Sequence, residues 1–247
     1  MSIETPEELA GMRAAGAVVQ RMLEAMKRAV RPGVSTAELD DVGARIMREH
    51  GARSAPALVY KFPGASCISI NEEAVHGIPS NRKLQDGDLV KLDVTIEKDG
   101  FMADAAVTVS VGSVSDEKQN LISCAERAFD LAMFVARAGN RVFEIGRVIE
   151  REVRRCGFSV IRELGGHGIG RTIQEKPSIP NFADPTARQV LTEGLVITIE
   201  PIIAAGRGAV ILESDGWTIR TADMKDSAHY EHTLMITKDA PVLLTAA

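Results

Sequence analysis

Near the N-terminus, apolar residues recur at helical spacing: Leu9, Met12, Ala15, Val19, Met22, Leu23 and Met26 form one stripe. Thr5-Pro6-Glu7-Glu8 supplies a capping residue, a proline at the first helical position and acidic first-turn side chains, and Arg31-Pro32-Gly33 ends the helix. The methionines of the stripe read as core filler. Ser35-Thr36-Ala37-Glu38 opens a second helix running to about His50, whose place at a helix C-terminus suits the macrodipole. Two further helices are expected, over 115–138 and 141–156. Leu121, Cys124, Ala125, Ala128, Phe129, Ala132 and Met133 stripe the first, and Gly157 ends the second. Cys124 and Cys156 read as small core residues there.

Between the helix pairs the period changes from helical to two. Val90, Leu92, Val94 and Ile96 alternate with Lys91, Asp93, Thr95 and Glu97, which predicts a half-buried strand; Lys98-Asp99-Gly100 turns, and 101–111 returns. The chain is organised around this hairpin, because Asp93 and Asp104 fall on one face of it. A two-residue turn at 98–99 sets them directly opposite; one at 99–100 makes them diagonal neighbours. In both registers like charges meet, which costs energy unless a cation lies between them.

Shorter apolar runs predict strands at 67–71, 195–199, 217–221 and 229–236, with Gly and Pro marking the loops between them. His76 lies in one such loop. Taken alone it is more often a structural histidine than a catalytic one, although loops carry function disproportionately. Leu164-Gly165-Gly166-His167-Gly168-Ile169-Gly170-Arg171 surrounds a histidine with four glycines, so the backbone can come close to something bound; it lacks the Lys-Ser/Thr pair of a phosphate loop. Glu200 ends an apolar strand, where a carboxylate needs either water or a partner. Glu231 lies within the last strand, near His229 and His232.

Composition narrows the function classes. With 45% apolar and 26% charged residues, the 247-residue chain is an ordinary globular sequence, expected to form one domain over 1–247. A net charge of −5 argues against nucleic acid or an anionic membrane as partner. Three cysteines, Cys67, Cys124 and Cys156, do not make a disulfide framework. The opening residues lack the basic-then-apolar layout of a signal peptide, so a cytoplasmic setting is expected.

Asp93, Asp104, His167, Glu200 and Glu231 together make an oxygen-rich ligand set with one imidazole. That suits a pair of divalent ions such as Mn²⁺, Fe²⁺, Co²⁺ or Zn²⁺ better than a thiolate-type structural zinc site. The segments carrying these residues, INEEAVHGIP, KLDVTIEKDGFMADAAVTVSVG, GGHGIGRTIQEKPSIPN, LVITIEP and SAHYEHT, resemble in order the landmarks of type I methionine aminopeptidases and cover nearly the whole chain. The resemblance implies an α+β, pita-bread (creatinase/aminopeptidase) fold: a curved antiparallel sheet with outer helices in two pseudo-symmetric halves. It implies a metal-dependent hydrolase that removes N-terminal methionine from nascent polypeptides, at the ribosome, as a monomer without a nucleic-acid or membrane partner.

Position by position, the resemblance has Asp93 chelate one metal, Asp104 and Glu231 bridge, and His167 and Glu200 hold the other. Glu200 also shuttles a proton, and His76 bonds the substrate backbone. Cys67, Phe62 and Trp217 line the methionine slot, and Asn71 and Ser227 hold a monovalent cation. Length points away from prolidases, aminopeptidases P and type II enzymes, which carry extra domains or insertions.

Two positions depart from the family pattern. Gln174 stands where a substrate-contacting histidine is usual, and His229 where glutamine is common. Gln174 is either a conservative exchange or a loss of a charge-assisted donor, pointing to a paralogue with weakened or altered specificity. The paired exchange raises the idea that His229 supplies what Gln174 lacks. A catalytically silent binding protein of the same fold is the reading from another class, disfavoured by the intact ligand set.

Overall fold

The first helix, α1 (Pro6–Ala29), starts where Thr5 Oγ1 accepts the Glu8 N–H at 3.2 Å, with Pro6 in the first turn. In α2 (Thr36–Glu49), Ser35 and Glu38 close the reciprocal capping box. These elements belong to a computed structural model that describes residues 1–246. The chain continues through β1 (Arg53–Ser54), α3 (Ala55–Tyr60), β2 (Cys67–Ile70), β3 (Glu73–Val75), β4 (Leu89–Lys98), β5 (Phe101–Ser110), α4 (Asp116–Val135) and α5 (Val142–Arg155). It then passes through β6 (Ser159–Val160), β7 (Gly165–Gly168), β8 (Glu175–Pro180), β9 (Val196–Ile199) and β10 (Ile202–Ala204). The last strands are β11 (Val210–Leu212), β12 (Ile219–Thr221), β13 (Ser227–His229), β14 (Glu231–Met235) and β15 (Val242–Leu243).

The large antiparallel sheet runs β1-β4-β5-β14-β9-β7-β8, with β2 added to β4 and β15 to β14. Two small sheets, β13-β10-β6 and β11-β12-β3, flank it. Each helix pair has its own apolar core. Met12, Val19, Met22 and Met26 of α1 pack with Leu92, Val94 and Ile96. Leu121, Ala128 and Phe129 of α4 pack with Ile145 and Ile149 of α5 and with Ile197, Ile199 and Leu234. Two cores under two helix pairs are the physical form of the two-halved, pita-bread architecture.

The β4–β5 hairpin turns at Asp99 and Gly100, both at positive φ (50° and 84°), a geometry whose twist matches the flanking strands. This register sets Asp93 opposite Ala106 and Asp104 opposite Thr95, so the two carboxylates are diagonal neighbours.

Two expectations are corrected, and one helix has no counterpart in the sequence pattern. Alternation in β4 does not mean that its polar side faces water: Lys91, Thr95 and Glu97 are 1%, 5% and 7% exposed. Lys91 and Glu97 are satisfied internally, Glu97 by Arg53 and by the Gly100 N–H. The strand expected over 229–236 breaks at Tyr230, whose N–H turns to Pro201 O as the chain crosses from the small sheet to the large one. The helix α3, capped by Ser54 and ended by Lys61 at φ 65°, is too short to leave a periodic stripe.

Between α4 and α5, Glu152 is held by Arg155 and Arg127. The Arg155 hydrogen bonds pull its carboxyl down from 4.5 to about 2. A depressed carboxylate stabilises the fold above its unfolded pKa, and this is lost as pH falls through the folded value. Glu152→Gln is therefore expected to cost roughly 1–3 kcal/mol at neutral pH, the gap to wild type closing between about pH 4.5 and 2 in denaturant titrations.

Candidate metal centre and active site

Strand register brings the chemistry together. Cys67, Asp93, Ala106 and Glu231 stand opposite one another across β2, β4, β5 and β14. Ala106 contributes only a methyl, which leaves room for carboxylates to converge above it. Asp104 lies two residues before Ala106, and Glu200 two after Thr198, which stands opposite Thr233. The period of two therefore places Asp93, Asp104, Glu200 and Glu231 on one face. His167 arrives from β7 at the neighbouring position, its N–H donated to Thr198 Oγ1 at 3.1 Å. A Cβ at Gly166 would lie 2.4 Å from Thr198 O, so glycine is what lets β7 carry the histidine this close.

Within the cluster, one ligand atom each of Asp104, His167 and Glu231 falls within 4.8 Å of the others. His167 Nε2 lies 3.6 Å from Glu200 Oε1. His167 Nδ1 lies 3.0 Å from Gly168 O, which fixes the proton on Nδ1 and leaves the Nε2 lone pair facing the carboxylates. Thr198 Oγ1 donates to Glu200 Oε1 at 2.9 Å. This threonine, orienting two ligands at once, is absent from the sequence reading; its signal is a polar residue two before Glu200 on the same face of an apolar strand.

The electrostatics favour a cation among these carboxylates. Burial raises the Asp93 carboxyl to about 6, helped by the Glu200 charge, and Asp104 and Glu231 are pushed up by burial and by their acidic neighbours. Glu200 is raised by burial too. Among the described residues lining the cleft, none is lysine or arginine. Asp104 Oδ1 and Glu231 Oε1 are buried without a hydrogen-bond partner among the described residues. Buried acceptors of this kind are costly unless something binds them. Oxygen donors with an imidazole fit a divalent metal.

The metal-ligand, catalytic and substrate residues read from the sequence, Phe62, Cys67, His76, Asp93, Asp104, His167, Gln174, Glu200, Trp217 and Glu231, line one cleft of about 360 Å³, whereas Asn71 and Ser227 lie outside its lining. Phe62 and Trp217 meet edge to face at 5.2 Å, and Cys67 lies beneath with its thiol kept neutral by burial and by Asp93. His76 sits at φ 59°, unusual for a residue with a side chain, and burial holds its imidazole below its ordinary value. Gln174 is exposed at the rim, where its Oε1 accepts from the Tyr60 hydroxyl at 3.5 Å and its amide N–H groups carry no bond among the described residues.

Asn71 and Ser227 do not offer their oxygens to a free ion. Lys91 Nζ bonds Asn71 O at 2.6 Å, Ser227 Oγ at 3.2 Å and Ser227 O at 3.3 Å. The monovalent cation implied by the resemblance is thus corrected to an ammonium supplied by the chain itself. Burial pulls this amine down to about 7, against the pull of Glu73 and Asp226. His229 and Gln174 do not exchange places in space: His229 is 2% exposed among the carboxylates, whereas Gln174 is on the rim.

Comparison with known proteins agrees with this geometry. The profile described as metallopeptidase family M24 matches residues 10–238. Methionine aminopeptidase 2 of Bacillus subtilis (strain 168) is 42% identical over 247 residues, covering 99% of each chain. The crystal structure of methionine aminopeptidase from Rickettsia prowazekii matches with a TM-score of 0.95 at 38% identity, covering 100% of both chains. That of methionine aminopeptidase from Thermotoga maritima gives 0.96 at 33%, again covering 100% of both chains. The chain therefore belongs to metallopeptidase family M24, among the methionine aminopeptidases, with their pita-bread fold.

Proposed function

We infer that the chain removes the N-terminal methionine of nascent proteins and peptides by metal-dependent hydrolysis of the first peptide bond. The observation that carries this reading is the junction, in one cleft, of the carboxylate–imidazole cluster with a slot built from Cys67, Phe62 and Trp217. A sulfur- and aromatic-lined slot matches an unbranched thioether. Two divalent ions would fit the donor set, held by Asp93, Asp104, His167, Glu200 and Glu231. When bound, such ions supply a hydroxide nucleophile at neutral pH and neutralise the developing oxyanion.

The remaining work falls to the chain's own side chains. Glu200, oriented by Thr198, takes the proton of the attacking water and returns it to the leaving amine. His76, neutral and held at the rim of the metal cluster, donates to the substrate backbone beside the scissile bond. Gln174 donates its amide to the substrate carbonyl. A neutral amide replaces a charge-assisted donor here, at about 1–3 kcal/mol, so Gln174→His is expected to raise kcat about tenfold or more in steady-state assays.

A peptide panel tests the reading. Free methionine is expected from Met-Ala-Ser, and no free amino acid from Lys-Ala-Ser, whose ammonium would have to enter the apolar slot. Trp217→Ala is expected to raise KM for Met-Ala-Ser about tenfold, because it opens one wall of the slot. Equal turnover of both peptides, or of neither, would overturn the assignment.

A further inference from the structure

We propose that His229 is a metal ligand, giving the centre a second imidazole at the ion held by Glu200 and Glu231. The proposal rests on the metal-centre reading above and deepens it. His229 Nε2 lies 3.3 Å from Glu231 Oε2 and 3.8 Å from Glu200 Oε2, and one ligand atom from each of these three residues falls within 4.8 Å of the others. Both ring nitrogens are buried, and neither has a hydrogen-bond partner among the described residues. The approach to Glu231 is close but not aligned as a hydrogen bond. A side chain that merely oriented the carboxylate would point an N–H at it.

Other histidines show what a satisfied ring looks like in this fold. His232 Nδ1 meets Thr245 Oγ1 at 2.9 Å and its Nε2 meets the Tyr230 hydroxyl at 3.2 Å. His50 meets Ile46 O and Arg21. His229 differs although its backbone is tightly placed, exchanging hydrogen bonds with Thr108 Oγ1 through both its N–H and its C=O. A buried imidazole with two unpaired nitrogens, its Nε2 beside two carboxylates, is costly unless a cation completes the group. The break at Tyr230 is what allows this: His229 ends β13 and Glu231 begins β14, so residues from two different sheets meet at one point.

A second imidazole changes which ion the centre prefers. His229 groups with Glu200 and Glu231, and His167 with Asp104 and Glu231, so each group carries an imidazole, which favours Co²⁺ and Zn²⁺ over Mn²⁺ more than an all-carboxylate site does.

The test counts imidazoles on cobalt in the whole protein. Loading the chain with Co²⁺ and recording its hyperfine-shifted proton spectrum should show two exchangeable imidazole N–H resonances, and His229→Gln should remove one. The same variant should weaken one of the two Co²⁺ affinities, read by calorimetry, about 10- to 100-fold while changing Mn²⁺ affinity less. The wild-type count stands whether or not the variant folds. One resonance in the wild type, or two that persist in His229→Gln, would overturn the proposal while leaving the metal centre intact. No Co²⁺ binding by the wild type would overturn both.

Discussion

Asp104→Asn is expected to lower methionine release by about a thousandfold or more and to weaken divalent-metal binding, with the fold retained. The amide preserves the shape of a side chain that is 7% exposed, but it offers one neutral oxygen where a shared carboxylate offered two. Because Asp104 stands between Asp93 and Glu231, both of which raise its carboxyl, its loss should remove the charge that binds the two halves of the cluster. A second consequence separates a metal site from an ordinary buried acid. Without metal, the variant should be the more stable protein, by roughly 1–2 kcal/mol, since one of four mutually repelling carboxylates has gone. With saturating Co²⁺ or Mn²⁺ the order should reverse, because ligand binding stabilises the wild type more. Thermal melts of both proteins, in chelator and in metal, read the two orders directly.

Lys91→Ala is expected to show the next largest effect, on stability and on turnover together. The variant leaves a cavity and strands Ser227 O without its donor, at about 1–3 kcal/mol for an unsatisfied buried group, while Asn71 O keeps only the Ser227 N–H and hydroxyl. A melting temperature lower by roughly 5–10 °C follows for a chain of this size. Ser227 begins the strand that carries His229 and leads into Glu231, and Lys91 precedes Asp93 on the same face of β4, so loosening this tie should also slow methionine release. The vacated oxygens form a cradle suited to a monovalent ion. Melts and rates in potassium chloride should therefore recover part of the loss relative to choline chloride, while the wild type should respond equally to both. Identical melts of the variant in the two salts would show that Lys91 holds no cation-like position.

The hairpin is the part of the molecule most open to sequence reading, since alternation and Gly100 declare two strands and a tight turn. Which of two registers is used depends on Asp99 adopting positive φ, a backbone choice that residue identity permits but does not force. Lys91 shows where alternation misleads. A period of two separates two faces of a strand, but it does not say that the polar face meets water rather than another sheet. The five expected ligands are brought together because each lies on a strand of the large sheet or directly beyond one, where register alone sets neighbours. Thr198 escaped notice because a threonine in a strand is ordinary; only its bonds to His167 and Glu200 distinguish it. The environment of His229 depends on the change of sheet at Tyr230, which no local pattern announces.

Methionine release by this cleft should depend on bound divalent metal. The chain, stripped with chelator, should release no methionine from Met-Ala-Ser, and stepwise addition of Mn²⁺, Co²⁺, Fe²⁺ or Zn²⁺ should restore release with at least one of them until the centre saturates. Release that persists in chelator, or that fails with all four metals, would contradict the account.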